Sequence, residues 1–227
     1  MSFEASTSLA EQIADYIGQQ IITGELRDHE RVQEQKFAKH LEVSRGSVRE
    51  ALLILEARHL IDIIPRRGAV VSALTIQHVE NFYEVVIVLY VLLAQKVAAI
   101  WKGDDLKPFM EMARDMKELV KNGDEKEFFS MTFKFGQKAN PLIKNTYLEE
   151  ILENLAPVAL RTRHLADTVN QNSMEESLEF NNDIIAGVRL RDMGIIKTVV
   201  VDYYAKQRDL VIAAIHAAKS KETASVG

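Results

Sequence analysis

The run Ser44-Arg45-Gly46-Ser47-Val48-Arg49 brings two guanidiniums and two hydroxyls into a short stretch of chain. A guanidinium is a planar fork of donors that grips guanine O6 and N7, or a phosphate, with two parallel hydrogen bonds. Ser44 is a natural N-cap. With that cap, Arg45, Ser47 and Arg49 fall in the first turns of a helix, the end a recognition helix offers to base edges and phosphates. A second basic group follows in Pro65-Arg66-Arg67-Gly68, a turn whose tip suits an adjacent minor groove.

Other chemistries lack their residues. The chain has no cysteine, which removes disulfides, thiolate metal sites and cysteine nucleophiles. Its six histidines, His29, His40, His59, His78, His164 and His216, include no pair at helical i, i+3 or i, i+4 spacing. No transition-metal site is therefore expected. The adjacent carboxylates Glu149-Glu150 and Glu175-Glu176 diverge by about 100° on a helix rather than converge. With no glycine-rich phosphate loop and no nucleophile beside a base, neither catalysis nor a cofactor is expected.

The elements that must position the arginines are legible around them. Phe37, Ala38, Leu41, Val43, Val48, Ala51 and Leu52 have the spacing of a helix-turn-helix. Ala38 and Val48 mark the helix crossing, and Leu41 and Val43 bracket the turn. Two short helical patterns and a longer third precede Ile61 to Ser72, where two β-branched runs joined by Pro-Arg-Arg-Gly read as a hairpin, or wing. From Arg31 to Arg67 the charge is +3, although the whole chain carries −5 and Met1 to Glu30 is acidic. A nucleic-acid site must be local.

After residue 74 the pattern is helical throughout, punctuated at Gly103-Asp104, Asn122-Gly123-Asp124, Ala139-Asn140-Pro141, Asn170 to Ser173 and Arg191 to Gly194. Asp104 and Asp124 each follow a glycine and read as N-caps. The expectation is a mainly α chain: a winged helix-turn-helix over residues 1–74, then an all-helical domain of about six helices over 75–227. Ser72 to Thr75 is the linker at which the winged domain would swing. Lys219 to Gly227 is small and polar and is expected to fray. Phe82 to Trp101 is apolar, yet Glu84, Gln95 and Lys96 interrupt it and a membrane span needs about 20 apolar residues. A helix buried on most faces of a helical core is the expectation, with no membrane. Met1 to Thr7 shows no basic-then-apolar leader pattern, so a cytoplasmic protein is expected.

The motif text resembles the GntR family of bacterial transcription regulators. It runs Ile22-Thr23-Gly24-Glu25-Leu26, Arg31-Val32-Gln33-Glu34, Phe37-Ala38, Val43-Ser44-Arg45-Gly46-Ser47-Val48-Arg49-Glu50-Ala51-Leu52, Leu55, Leu60 and Arg67-Gly68. The helical part looks like the FCD type of the FadR subfamily. The resemblance implies a homodimer on a palindromic operator in double-stranded DNA, released or retained by a small effector. It makes Arg31, Ser44, Arg45, Ser47, Arg49, Arg67 and Gly68 DNA-contact candidates, to which Gln33 and Gln35 are added. Two positions depart from the family pattern, Glu42 in the turn and His59 after the recognition helix. Both stand where glycine is usual and a left-handed backbone is expected, at about 1 kcal/mol for a non-glycine residue.

The second domain departs further. Many FCD domains carry a metal site, whose ligand positions correspond here to Thr132, Gly136, Asn181 and Tyr203, with none of the imidazoles. An Arg and a Glu usual on the first long helix correspond to Val86 and Tyr90. Val86, Tyr90 and Phe133 are then either a greasy effector pocket or plain core. Arg161, Arg163 and His164 either meet an anionic head group or form a solvated face. The effector expected on this reading is a hydrophobic anion, a fatty acid or acyl-CoA. The alternatives are a small polar organic acid or no effector at all.

Overall fold

A computed structural model describes residues 8–225, with side chains through Ser220; Met1–Thr7 and Val226–Gly227 lie outside the described residues. The chain divides into two compact units. The first holds Met1–His78 together with Glu153–Leu165, and the second holds Val79–Leu152 with Ala166–Gly227.

The first unit begins with α1 (Leu9–Ile22), opened by a capping box in which Ser8 and Glu11 satisfy each other's backbone N–H groups. This helix is as long as the recognition helix, against the expectation of a short one. Its buried stripe of Ile13, Ile17 and Ile21 gives it a full core face, and it packs on α3 (Arg45–Ala57). Between them lies α2 (Glu34–His40). The sheet is the expected hairpin, β1 (Ile61–Ile64) antiparallel to β2 (Gly68–Val71), with Ile61 opposite Val71 and Ile64 opposite Gly68.

Helix ends explain the two departures from the family pattern. After α2 the Val43 N–H bonds the Ala38 carbonyl at 3.0 Å, with Glu42 at φ 55°. After α3 the Leu60 N–H bonds the Leu55 carbonyl at 3.0 Å, with His59 at φ 56°. Each is a Schellman stop whose left-handed residue follows the cap. Neither residue is glycine. The capping hydrogen bonds and the buried Leu60 hold the geometry against the local cost.

The linker is pinned. Arg161 is 6% exposed; its guanidinium donates to the Ser72 carbonyl at 2.7 Å and to the Asp28 carboxylate at 2.6 Å. The other Asp28 oxygen accepts the Leu74 N–H at 3.0 Å. Burial, and then the Arg161 cation, push the His78 imidazole below its ordinary pKa. All of these groups belong to the first unit, because the stretch Glu153–Leu165 of helix α8 (Thr146–Asp167) belongs to it. Arg161 is thus no solvated cation, since its guanidinium is buried on the Asp28 carboxylate and the Ser72 carbonyl.

The second unit is helical, as expected. It contains α4 (Ile76–Ile100, entering at Val79), α5 (Lys107–Asn122), α6 (Glu125–Gln137), a one-turn α7 (Asn140–Ile143), the ends of α8, α9 (Ser173–Leu190) and α10 (Met193–Ser225). Its core gathers Leu93, Val97, Phe109, Met116, Phe128 and Ile196. Gly123 (φ 68°) closes α5 and Asp124 caps α6, accepting the Glu127 N–H at 3.2 Å. Asp104 does not cap α5. That helix begins after Leu106, and the Asp104 carbonyl accepts the Lys107 N–H within the preceding turn. Arg191 closes the C-terminus of α4 by donating to the Ala98, Ala99 and Trp101 carbonyls at 2.6, 3.0 and 2.7 Å. A cation there answers both the orphan carbonyls and the helix dipole.

Two further expectations need correction. Lys219–Ser225, expected as a frayed end, stands within α10, and the Val226–Gly227 remainder of that stretch lies outside the described residues. Helix α4 is not buried on most faces. It is long and apolar enough to cross a membrane by length and composition, and only a third of its apolar window is buried. Helices packed against one side of it leave Val85, Val88 and Leu92 exposed.

The Arg161 clamp makes an asymmetric prediction. Asp28→Ala strands a buried guanidinium and should cost several kcal/mol, the range for breaking a buried pair. Arg161→Met leaves behind an Asp28 side chain that is 47% exposed and can be hydrated, so it should cost less. Urea unfolding of both variants checks the order.

Candidate nucleic-acid interface

Ser44 begins α3 from an extended backbone (φ −70°, ψ 151°), and its hydroxyl accepts the Ser47 N–H at 3.0 Å. The two serine hydroxyls are 2.9 Å apart. This cap holds the first turn of α3 open to solvent, with Ser44 and Arg45 exposed and Ser47 half-buried. On the opposite face Val48, Ala51, Leu52 and Leu55 are buried, so the helix is anchored by its apolar stripe.

The two recognition-helix arginines differ. No pairing of Arg45 with an acid is recorded among the described residues. Arg49 lies across from Glu34, the first residue of α2, with Nη2 to Oε2 at 3.0 Å and Nε to Oε1 at 3.3 Å. That bidentate pair sets the direction of the guanidinium and raises its pKa. Gln33 and Gln35 flank Glu34 and are both exposed.

The wing completes the surface. Arg66 (φ 65°) and Arg67 form the exposed tip, and the Arg67 N–H returns to the Ile64 carbonyl at 3.0 Å. Gly68 takes φ 82°, a conformation side chains rarely adopt. The Nη2 of Arg31 stands 3.6 Å from where a Gly68 Cβ would be. Arg31 is also bridged to Val70 of β2, which brings its guanidinium to the base of the wing. Arg31, Gly68 and Arg67 therefore form one contiguous basic edge.

The expected effector residues are divided. Tyr90, Gly136 and Tyr203 come together through a residue that sequence reading missed, Tyr204. The Tyr90 ring stacks on Tyr204 at 5.0 Å between centroids, and Tyr203 stacks on Phe180 at 4.1 Å. A Cβ on Gly136 would meet the Tyr90 ring at 3.6 Å. The Tyr90 ring thus lies in van der Waals range of position 136. Burial raises the pKa of both the Tyr90 and Tyr204 phenols, so both stay protonated. The Tyr203 hydroxyl meets the Ser177 hydroxyl at 2.9 Å.

Val86 is buried one turn before Tyr90, and Thr132 turns its hydroxyl onto the Phe128 carbonyl of its own helix. Phe133 is half-buried on α6. Asn181, 1% exposed, points its amide at the Met116 sulfur at 3.3 Å. Arg161 lies in the first unit. One turn beyond Tyr203 and Tyr204 lies Gln207, buried, with an Nε2 donor that finds no acceptor among the described residues. The tandem Tyr203-Tyr204 was the available signal for the ring cluster. Nothing in the sequence marked Gln207, and Glu34 stood in the motif text without a role of its own.

Residues 9–71 match the family described as bacterial regulatory proteins, gntR family, and residues 81–203 match the FCD domain. The gluconate operon transcriptional repressor of Bacillus subtilis (strain 168) is 29% identical over 155 residues, covering 68% of this chain and 63% of that protein. Its namesake in Bacillus licheniformis is 31% identical over 157 residues, covering 68% of this chain and 62% of that protein. The matched part of the chain thus spans a little under two thirds of the length of these relatives. Among solved structures, E. coli McbR/YncC shares the fold with a TM-score of 0.74 at 18% identity, covering 92% of this chain and 99% of its own.

Ser44→Ala removes the cap that opens the recognition helix and leaves the Ser47 N–H without its acceptor. It should cost about 1 kcal/mol of stability, read as a lower urea midpoint at unchanged slope.

Proposed function

The chain belongs to the gntR family of bacterial regulatory proteins, with an FCD domain behind its winged helix, and from that premise we propose that it is a transcriptional repressor. It binds a palindromic operator as a homodimer in the cytoplasm and answers to a small effector, acting by binding and not by catalysis. The observation that carries this reading is the exposed first turn of α3, with Arg45 unencumbered beside the basic edge of Arg31, Arg67 and Gly68.

The pairing of Arg49 with Glu34 ranks the contacts. Arg45 can meet a guanine edge at no cost in lost partners, whereas Arg49 must share or surrender a carboxylate. Arg45→Ala should weaken specific binding by roughly 1–3 kcal/mol, the worth of a bidentate base contact. Arg49→Ala should weaken it by less. Glu34→Gln should strengthen binding to all sequences by removing an anion from a surface that faces phosphates. Arg67→Ala should weaken binding with little change in sequence choice. Operator footprints and salt titrations of the four variants check this ranking. Wild-type footprints from both recognition-helix variants would refute the assignment of α3.

The effector is a hydrophobic anion, of the fatty acid or acyl-CoA class, bound beside the ring cluster. Val86 and Tyr90 stand where the resemblance places an Arg and a Glu, and the neighbouring rings offer apolar surface with few charges. The unpartnered Gln207 amide supplies a donor for an acceptor oxygen, since buried donors ordinarily find one. A sugar acid is a second reading, favoured by the named role of the two Bacillus relatives and by the hydroxyls of Ser177 and Tyr203. A tenfold change in operator affinity requires about 1.4 kcal/mol of coupling. Calorimetry with acyl-CoAs, fatty acids and sugar acids should give heat with an acyl ligand, and Gln207→Leu should weaken that binding. Heat with sugar acids alone would replace the first reading by the second.

A further inference from the structure

Helices α5 and α9 pack together within the second unit and leave an open groove of about 400 Å³ between them. A groove of that size suits a small organic molecule. Each helix lends it an alanine, Ala113 from α5 and Ala186 from α9, and Ile185 adds to the apolar floor.

Three cations border this floor, Arg114 and Lys117 of α5 and Arg189 of α9, and all three are exposed. No acid lines the groove, in a chain whose net charge is −5. The neighbouring carboxylates do not neutralise it. Asp115 Oδ1 lies 3.7 Å from Arg114 Nε, too far for a hydrogen bond. Glu118 accepts Lys121 at 2.7 Å, and that bond is what chiefly holds its carboxyl below the ordinary pKa, with Lys117 a lesser influence. The helix dipole accounts for Arg189, in the last turn of α9, but not for Arg114 and Lys117, which stand inside α5. Like charges three residues apart on one helix repel. An anion in the groove would relieve that repulsion.

We propose that this groove is a second ligand site, taking an organic phosphate. Helices in contact lie about 8–10 Å apart, so long cations from both can reach one anion. A phosphate monoester offers two charges and several acceptor oxygens to two guanidinium forks and an ammonium. A lone carboxylate would leave positive charge over. The body of the ester lies on the floor of Ala113, Ile185 and Ala186. The site is separate from the ring cluster. Asn181 turns inward to the Met116 sulfur, whereas the next residue, Asn182, lines the groove.

Calorimetry on the full chain with phenyl phosphate, adenosine monophosphate and inorganic phosphate tests the site. At least one ester should bind about tenfold or more tightly than inorganic phosphate. Lys117→Gln combined with Arg189→Gln should weaken that ester on the order of tenfold, at an unchanged urea midpoint, whereas Lys117→Arg should preserve it. Ala186→Leu, which crowds the floor and leaves every charge, should weaken the ester more than inorganic phosphate. Affinity should survive Gln207→Leu, and also Arg45→Ala combined with Arg67→Ala.

The absence of heat with either ester at millimolar concentration would overturn the site, as would wild-type affinity in the Lys117 and Arg189 double variant. Equal affinity for the esters and inorganic phosphate would reduce the groove to a general anion patch. Loss of ester binding in the Arg45 and Arg67 double variant would move the phosphate to the DNA-facing edge, and loss in Gln207→Leu would move it to the ring cluster. Either shift would overturn the site while leaving the operator footprints, and the regulator reading that rests on them, untouched. A weaker footprint from the Lys117 and Arg189 double variant, with no ester bound by wild type, would give these cations to DNA instead.

Discussion

The buried guanidinium of Arg161 constrains the first unit more than any other group. A desolvated cation is costly unless its donors are filled by well-placed acceptors. Here the acceptors are the Asp28 carboxylate and the Ser72 carbonyl, from segments far apart in sequence. Asp28 uses its second oxygen for the Leu74 N–H, so one carboxylate orders both the cation and the linker. The stretch from the end of β2 to the start of α4 is thereby fixed, and Thr75 goes on to cap α4 by accepting the His78 N–H at 3.1 Å. The position of the wing follows, because β2 runs directly into this knot.

On the DNA-facing side, electrostatics is settled by local pairing and not by net charge. The whole chain is acidic, yet its basic groups converge on one edge because the wing folds back beside Arg31. Glu34 divides the recognition-helix arginines into one that is available and one that is held. An exposed ion pair of this kind contributes little to stability. Its consequence is directional, since it orients a fork of donors before any phosphate arrives.

In the second unit, two positions at which the family resemblance implies a polar side chain, Tyr90 and Gly136, lie side by side without charge. Gly136 has no side chain, and the Tyr90 ring packs beside it. Tyr204, Tyr203 and Phe180 extend the same packing, with the Ser177 hydroxyl on Tyr203 and the Gln207 amide one turn beyond. The core face of α4 supplies Tyr90 to this cluster, and its opposite face remains apolar and exposed. One helix is therefore asked to satisfy two apolar surfaces, which is why its sequence reads as hydrophobic all round.

Whatever depends on near neighbours in the chain was legible from sequence. The Ser44 cap, the left-handed stops at Glu42 and His59, the hairpin with Arg66 and Arg67 at its tip, and the helical character of the second unit all follow from residues within a turn or two. Backbone hydrogen bonds and steric limits on φ act over that range. Tertiary structure alone decided the rest. Arg161 became a buried clamp because Asp28, 133 residues away, arrived beside it, and Arg49 was held because Glu34 lies 15 residues upstream. The periodicity of α4 could not say which of its apolar faces would be covered. Burial depends on what packs against a helix, and no single segment encodes its neighbours.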